Sequence, residues 1–143
     1  MFRAASAHSI LALAEAAAAD CIAQIEHAQI GTPNFVVVLA NCVLGLEPIG
    51  LALSTRWPGV RIHAATSFLG AMTNAAVVVA PTAGIAMLAI ADPAGDFGVA
   101  AGDFDEAAHI TASRLVRQAL ADAGRAGEIP ALVLVGVTPG EVQ

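Results

Sequence analysis

The sequence predicts an α/β domain in which a mixed β-sheet is covered by helices, in the order α-β-α-β-β-β-β-α-β. Short runs of β-branched residues, such as FVVVLA at 35–40, are too short for helices and are typical of buried strands. Alanine-rich stretches with helical spacing alternate with such runs at both ends of the chain. A length of 143 residues predicts a single domain over residues 1–143.

The composition limits the possible partners. The chain is 57% hydrophobic, has a formal net charge of −6 and contains no lysine, whereas non-specific nucleic-acid binding needs clustered cations. The most apolar stretches, 35–46 and 76–91, are interrupted by residues such as Asn41 and Pro81, so neither predicts a membrane span. Glu15 interrupts the early alanine-rich stretch, which argues against a signal peptide. We therefore expect a cytoplasmic protein with neither a nucleic-acid nor a membrane partner.

The first half of the chain is predicted to form a helix, a strand, a helix and a strand, over residues 6–29, 35–40, 46–56 and 60–66. Apolar residues recur at spacings of three and four between Ile10 and Ile25, which favours the first helix. Gly31 and Pro33 are expected to end it.

The second half is predicted to form three strands, a helix and a last buried strand, over residues 75–80, 83–91, 97–102, 105–123 and 129–137. The Asp92-Pro93-Ala94-Gly95 turn predicts a hairpin between the second and third of these strands. Asp105 and Glu106 suit the positive end of the helix. A buried strand this close to Gln143 suggests a truncated module, a homo-oligomer or a partner chain that supplies the missing cover.

Small and polar residues crowd the ends of the strands at 35–40 and 60–66, and parallel strands would bring both ends to one edge of the sheet. Free backbone amides and hydroxyls at such an edge could hold a carboxylate or phosphate. The alternative is a turn whose hydroxyls bond its own backbone. The candidate ligand-binding residues are Asn41, Cys42, His63, Thr66, Ser67, Phe68, Gly70 and Thr73.

Other functions stay open at this point. A hydrolase would use Cys42 or Ser67 as nucleophile with His63 as the base, and a haem-binding gas sensor would use His63 as the axial ligand. The histidines and cysteines are scattered singly, which predicts no metal site. Arg56 and Arg61 could bind a carboxylate, although such side chains more commonly stay solvated or pair with a surface acid. An oligomeric structural subunit is a further alternative.

The stretch TSFLGAMT at 66–73 belongs to a longer resemblance. With FVVVLA before it, LAIADPAGDFGVA after it and IPALVLVGVTPGE near the end, it is similar to the N-terminal half of a FIST domain. Phe68 stands where that family often has cysteine, and the Asp92-Pro93 turn and the Pro139-Gly140-Glu141 stretch also fit. The similarity runs from Phe35 onward and lacks the family's following helix, glycine-rich segment and C-terminal FIST domain.

The resemblance implies an intracellular sensory module that binds a small polar metabolite, with amino acids as the usual suggestion. FIST domains often accompany signalling domains, and some members resemble haem-binding nitric oxide sensors. The chain is therefore predicted to be a non-catalytic signalling module without an obligatory cofactor. A pocket formed between two halves would need a partner chain here.

Overall fold

The computed structural model describes residues 1–67, 70–79, 84–103 and 107–137. The chain divides into two compact units, Met1–Ala94 and Gly95–Gln143. The strands and helices, in chain order, are β1 (Arg3–Ser9), α1 (Ala14–His27), β2 (Phe35–Asn41), α2 (Leu46–Arg56), β3 (Arg61–Ser67), β4 (Gly70–Met72), β5 (Val77–Val79), β6 (Ile85–Ala91) and α3 (Ala108–Asp122). Among the described helices, none combines the length and the apolar character that a membrane crossing requires.

The first unit contains a four-stranded mixed sheet with the strand order β1-β6-β2-β3, which confirms the predicted fold class. Strands β2 and β3 are parallel, and their connection runs through α2. Strand β6 lies between β1 and β2 and is antiparallel to both. A separate two-stranded hairpin is formed by β4 and β5.

Helices α1 and α2 pack on one face of this sheet. The core there is built from alternate strand residues and the inward faces of the helices, among them Val36, Val38, Ala40, Ile85, Met87, Cys21, Ile25, Ile49 and Leu53. The intervening residues of β2 and β6 point to the other face, where Leu39 is 36% exposed and Leu88 is 41% exposed. The face of β2 away from the helices is therefore less buried than the helical face, since the burial of most of its residues alternates with the two-residue period of a strand.

The predicted helix over 6–29 is wrong at its beginning. Arg3–Ser9 form an edge strand antiparallel to β6, and α1 starts only at Ala14. Ala7 and Ser9 are buried while Ser6 is exposed, which is the alternation of a strand with one covered face. Alanine is compatible with either structure, so pairing with β6 overrides its helical preference.

A glutamine side chain replaces a neighbouring strand at the free edge of β1. The amide of Gln24 on α1 donates to the carbonyl oxygen of His8 at 2.7 Å and accepts from the His8 N–H at 3.3 Å. Both backbone groups of His8 are thereby satisfied by the helix that packs against the sheet. This reciprocal pair fixes α1 against β1 and interrupts the open edge, which limits unwanted strand pairing there.

A second reciprocal pair of hydrogen bonds lies at the opposite end of the sheet. The Asn34 side chain donates to the Asp92 carbonyl at 2.7 Å and accepts from the Asp92 N–H at 3.0 Å. Its backbone N–H donates to the carbonyl of Ile90, and its carbonyl accepts from the N–H of Arg61, both at 3.0 Å. One residue therefore joins the start of β2 to both of its neighbours.

In the second unit, the residues predicted as the strand 97–102 form no strand, and β6 pairs with β1 and β2 instead of forming a hairpin with them. The segment lies against α3. A Cβ on Gly98 would stand 1.9 Å from the carbonyl oxygen of Ala119, and the Val99 N–H donates to the Asp122 carboxylate at 3.0 Å. Close backbone contact with a helix takes the place of strand pairing. Helix α3 itself confirms the predicted helix, although Asp105 and Glu106 lie outside the described residues.

The last buried strand predicted at 129–137 is also wrong. These residues belong to no helix or strand, and the segment is largely exposed, with Ile129 at 95%, Leu132 at 76% and Val135 at 72%. An apolar, β-branched run indicates a strand only if a neighbouring strand is available to pair with it. Residues 138–143, including the Pro139-Gly140-Glu141 stretch, lie outside the described residues.

We expect the Gln24→Ala substitution to lower the free energy of unfolding of the first unit by about 1–3 kcal/mol, because two part-buried hydrogen bonds are lost. Urea denaturation followed by the fluorescence of Trp57, the single tryptophan, measures this change, since Trp57 is buried in that unit. Gln118→Ala on the exposed face of α3 is the matched control. Equal effects of the two substitutions would contradict the role assigned to Gln24.

Candidate functional site

The ends of β2 and β3 lie side by side, as the sequence predicted. Asn41 and Ser67 are direct partners in the parallel ladder, so their backbones stand at the same edge of the sheet. This edge is where α/β folds with parallel strands commonly bind ligands. The chemistry available there depends on which polar groups are left unoccupied.

Asn41 is buried and its polar groups build the turn that follows β2. Its side-chain oxygen accepts from the Val43 N–H at 3.0 Å, and its carbonyl oxygen accepts from the Leu44 N–H at 2.9 Å. Its own N–H donates to the carbonyl of Gly84 at 2.8 Å. Asn41 therefore shapes the edge and does not present these groups to a ligand.

The hydroxyls of Ser67 and Thr73 bond the backbone of their own turns. The Ser67 hydroxyl donates to the carbonyl oxygen of Gly70 and accepts from the Gly70 N–H at 3.3 Å. Oγ1 of Thr73 accepts from the N–H groups of Ala75 at 3.2 Å and Ala76 at 3.1 Å. These two residues therefore fit the alternative stated above, a turn whose hydroxyls bond its own backbone, better than a site that holds a carboxylate or phosphate.

The remaining predicted site residues do not converge. Cys42 is exposed in the turn after β2. His63 shares a face of the sheet with Ser67 but lies four residues earlier on β3, which places it roughly 13 Å from the strand end at about 3.3 Å per residue. Thr66 is exposed and points to the face that carries the helices, and Phe68 lies outside the described residues.

This arrangement gives little support to nucleophilic catalysis at the edge. The base proposed for Cys42 or Ser67 was His63, and its position along β3 is too distant for the hydrogen bond that such a pair needs.

Burial, with a smaller contribution from the nearby Asp20 carboxylate, raises the pKa of the Cys21 thiol to about 12. Cys21 is therefore a buried residue of the apolar core.

The charged residues considered as anion ligands have structural partners. Arg56 forms an ion pair with Glu26 at 2.5 Å on the surface between α2 and α1, as expected for an arginine that pairs with a surface acid. The Arg61 guanidinium donates to the carbonyl oxygen of Gly59 at 3.4 Å. Within the described ranges, histidine, cysteine, aspartate and glutamate side chains form no group of three that could hold a metal ion.

The structure contains a groove that the sequence did not predict. The β4–β5 hairpin lies on the sheet face opposite the helices, where β4 contacts β2 and β6. The groove beside the hairpin is open to solvent and has a volume of about 670 Å³. Most of its lining is apolar, with three polar side chains, and consists of Ala4, Ala5, Ser6, Val37, Leu39, Met72, Thr73, Asn74, Ala86, Met87 and Leu88. Of the predicted site residues, Thr73 alone is part of this lining.

Two contacts hold the hairpin over the sheet. The Ser6 hydroxyl on β1 donates to the side-chain oxygen of Asn74 in the turn between β4 and β5. At the other end, Gly84 lies so close to β5 that a Cβ on it would stand 1.9 Å from Cγ1 of Val78. The hairpin is thus attached at its turn and packed closely near the start of β6.

Sequence reasoning missed Ser6 and Asn74 because assigning the chain's beginning to a helix removed β1, the strand that binds the hairpin turn. It missed Leu39 and Leu88 because β2 and β6 were predicted as strands without an assignment of which face stays open. The burial of Ala7 and Ser9 on one face of β1 has no clear sequence counterpart, because both alanine and serine occur on either face of this strand.

Because Gly84 has no room for a side chain, Gly84→Ala should displace β5. The resulting strain should destabilise the folded state by about 1–3 kcal/mol and lower the thermal midpoint by several degrees. Combining it with Val78→Ala removes the clashing methyl group and should recover part of the loss. Thermal unfolding of the wild type, the two single variants and the double variant measures the coupling. Strictly additive effects would show that the two residues do not meet.

Thiol titration should separate the two cysteines. Folded protein at pH 8 should react rapidly at Cys42, which is exposed, and slowly or not at all at Cys21, because a pKa of about 12 leaves almost no thiolate. Denaturation should make both react. A Cys42→Ser variant that still labels rapidly in the folded state would contradict this assignment.

Comparison with family models, with the curated proteins and with the solved structures gives no match to this chain. The similarity to a FIST domain therefore remains a prediction from the motifs quoted above.

Proposed function

We propose that this chain is a non-catalytic binding module for a small metabolite, in keeping with its FIST-like motifs, and that the ligand occupies the groove under the β4–β5 hairpin. The observation that supports this is the groove of about 670 Å³ on the open face of the sheet. Ligand sites in proteins span roughly 300–1,000 Å³ and combine apolar walls with a few polar groups. The groove has both properties.

The lining favours an uncharged ligand with an apolar body. Val37, Leu39 and Leu88 supply the floor from adjacent strands, and no charged side chain is among the described lining residues. Ser6, Thr73 and Asn74 supply the polar end, where a hydroxyl or amide group of the ligand would compete for their hydrogen bonds. A carboxylate buried there would lack a cation to offset its desolvation.

This changes the ligand class that was expected from the sequence. A free amino acid carries two charges, whereas the groove offers neutral hydroxyl and amide groups, so an amino acid would bind with its apolar side chain on the sheet and its charged groups in water. We therefore place the site at Leu39, Leu88, Thr73 and Asn74 and away from Asn41 and Ser67.

The uncharged fluorescent probe N-phenyl-1-naphthylamine tests the groove directly. We expect it to bind with enhanced fluorescence, and Leu39→Trp, which fills the groove, to weaken binding by about tenfold or more, corresponding to ~1.4 kcal/mol. Leu51→Trp is the matched control, since Leu51 is an exposed leucine on α2 outside the lining.

Competition by leucine, phenylalanine, serine and glutamate then separates the ligand classes. Displacement of the probe by leucine and phenylalanine but not by glutamate would fit the apolar groove. Probe binding that is unaffected by Leu39→Trp, or weakened equally by Leu51→Trp, would place any binding elsewhere and overturn the proposed site.

A further inference from the structure

We infer that the free edge of β3 accepts residues 131–137 of a second copy of this chain as an added strand. This interaction surface is separate from the groove, and it follows from an open sheet edge and an unpaired apolar segment that occur in the same protein. Adding the segment as a strand would give both of them hydrogen-bond partners, because the backbone groups of an open edge pair with those of an extended segment.

The β3 edge presents backbone groups that no described strand pairs with. The Arg61 N–H donates to the Asn34 carbonyl, so in a parallel ladder the alternate residues from Arg61 onward bond toward β2. The N–H and C=O groups of Ile62, Ala64 and Thr66 therefore point away from the sheet. Of the described strands, β2 alone pairs with β3.

The helical layer also leaves this edge uncovered. Val38 on β2 is fully buried beneath the helices, whereas its neighbour on the same face of β3, Ala64, is exposed. Thr66, on that face as well, is also exposed. An added strand at this position could place apolar side chains beside α2 and remove this part of the face from water.

The opposite edge of the sheet is less available. At β1 the Gln24 amide already occupies both backbone groups of His8, and the Arg3 side chain donates to the carbonyl of Gln29. Helix α1 packs along β1. An incoming strand would have to displace these contacts, whereas no described contact of this kind interrupts β3.

The segment 131–137, with the sequence ALVLVGV, has the properties of the missing strand. It is as long as β3, each being seven residues. It is apolar apart from Gly136 and contains three valines, a composition that suits a buried strand. Within the described chain it belongs to no strand, and it exposes Leu132 and Val135 to water. Pairing in a second copy would bury these side chains.

Two variants that block opposite partners test the inference. Ala64→Pro removes an outward N–H from the accepting edge, a position at which an edge strand tolerates proline. Val135→Lys places a charge in the donated segment. We expect the wild-type chain to self-associate at up to about 1 mM, and each variant alone to associate at least tenfold more weakly in sedimentation equilibrium.

Mixing the two variants is the decisive measurement. The Ala64→Pro chain still carries an intact segment and the Val135→Lys chain an intact edge, so the mixture should form a 1:1 complex that neither variant forms alone. Leu51→Lys, at an exposed leucine on α2, should leave association unchanged. Circular dichroism and Trp57 fluorescence check folding, and Thr66→Pro replaces Ala64→Pro if that variant unfolds.

Three outcomes would overturn the inference: a wild-type chain that stays monomeric over this range, variants that associate as well as the wild type, or a mixture that gives no complex. An equal loss of association in Leu51→Lys would also overturn it, since this would indicate general apolar stickiness. The groove plays no part in these measurements, so failure here leaves the ligand-binding proposal to its own test.

Discussion

The fold of the first unit depends on β2 being paired on both sides and buried under two helices. The backbone groups of an inner strand need hydrogen-bond partners in the adjacent strands, because an unpaired buried amide costs about 1–3 kcal/mol. Parallel β3 and antiparallel β6 meet that requirement, and Val36, Val38 and Ala40 supply the fully buried side chains beneath the helices. The groove and the sheet edge described above are defined by their positions relative to this strand.

Amide side chains limit the sheet where backbone pairing stops. Asn34 and Gln24 each present a donor and an acceptor spaced like those of a peptide group, and each bonds both backbone groups of one residue. Asn34 extends the β2–β6 pairing to Asp92, and Gln24 occupies part of the β1 edge. No comparable side chain covers β3 among the described residues, which makes the two edges chemically different.

The small β4–β5 hairpin converts an open sheet face into a groove. A four-residue turn stabilised by Thr73 carries Asn74 to Ser6, and the absence of a side chain at Gly84 allows β5 to pack closely. The hydroxyls of Ser67 and Thr73 therefore stabilise the turns at the two ends of β4. The apolar residues of the neighbouring sheet strands line most of the groove that results.

The sequence by itself determined the fold class, α2, β2, β3, β6 and most of α1 and α3, because these segments have strong periodicity or continuous β-branched runs. It also predicted that Asn41 and Ser67 share one edge. Only the tertiary structure decided the rest. Alanine suits a helix and a strand almost equally, so pairing with β6 made Arg3–Ser9 a strand. The apolar segments at 97–102 and 129–137 have the composition of strands but no strand partner in the described chain. A strand, unlike a helix, requires hydrogen bonds from another segment of chain, and local pattern does not reveal whether one is available.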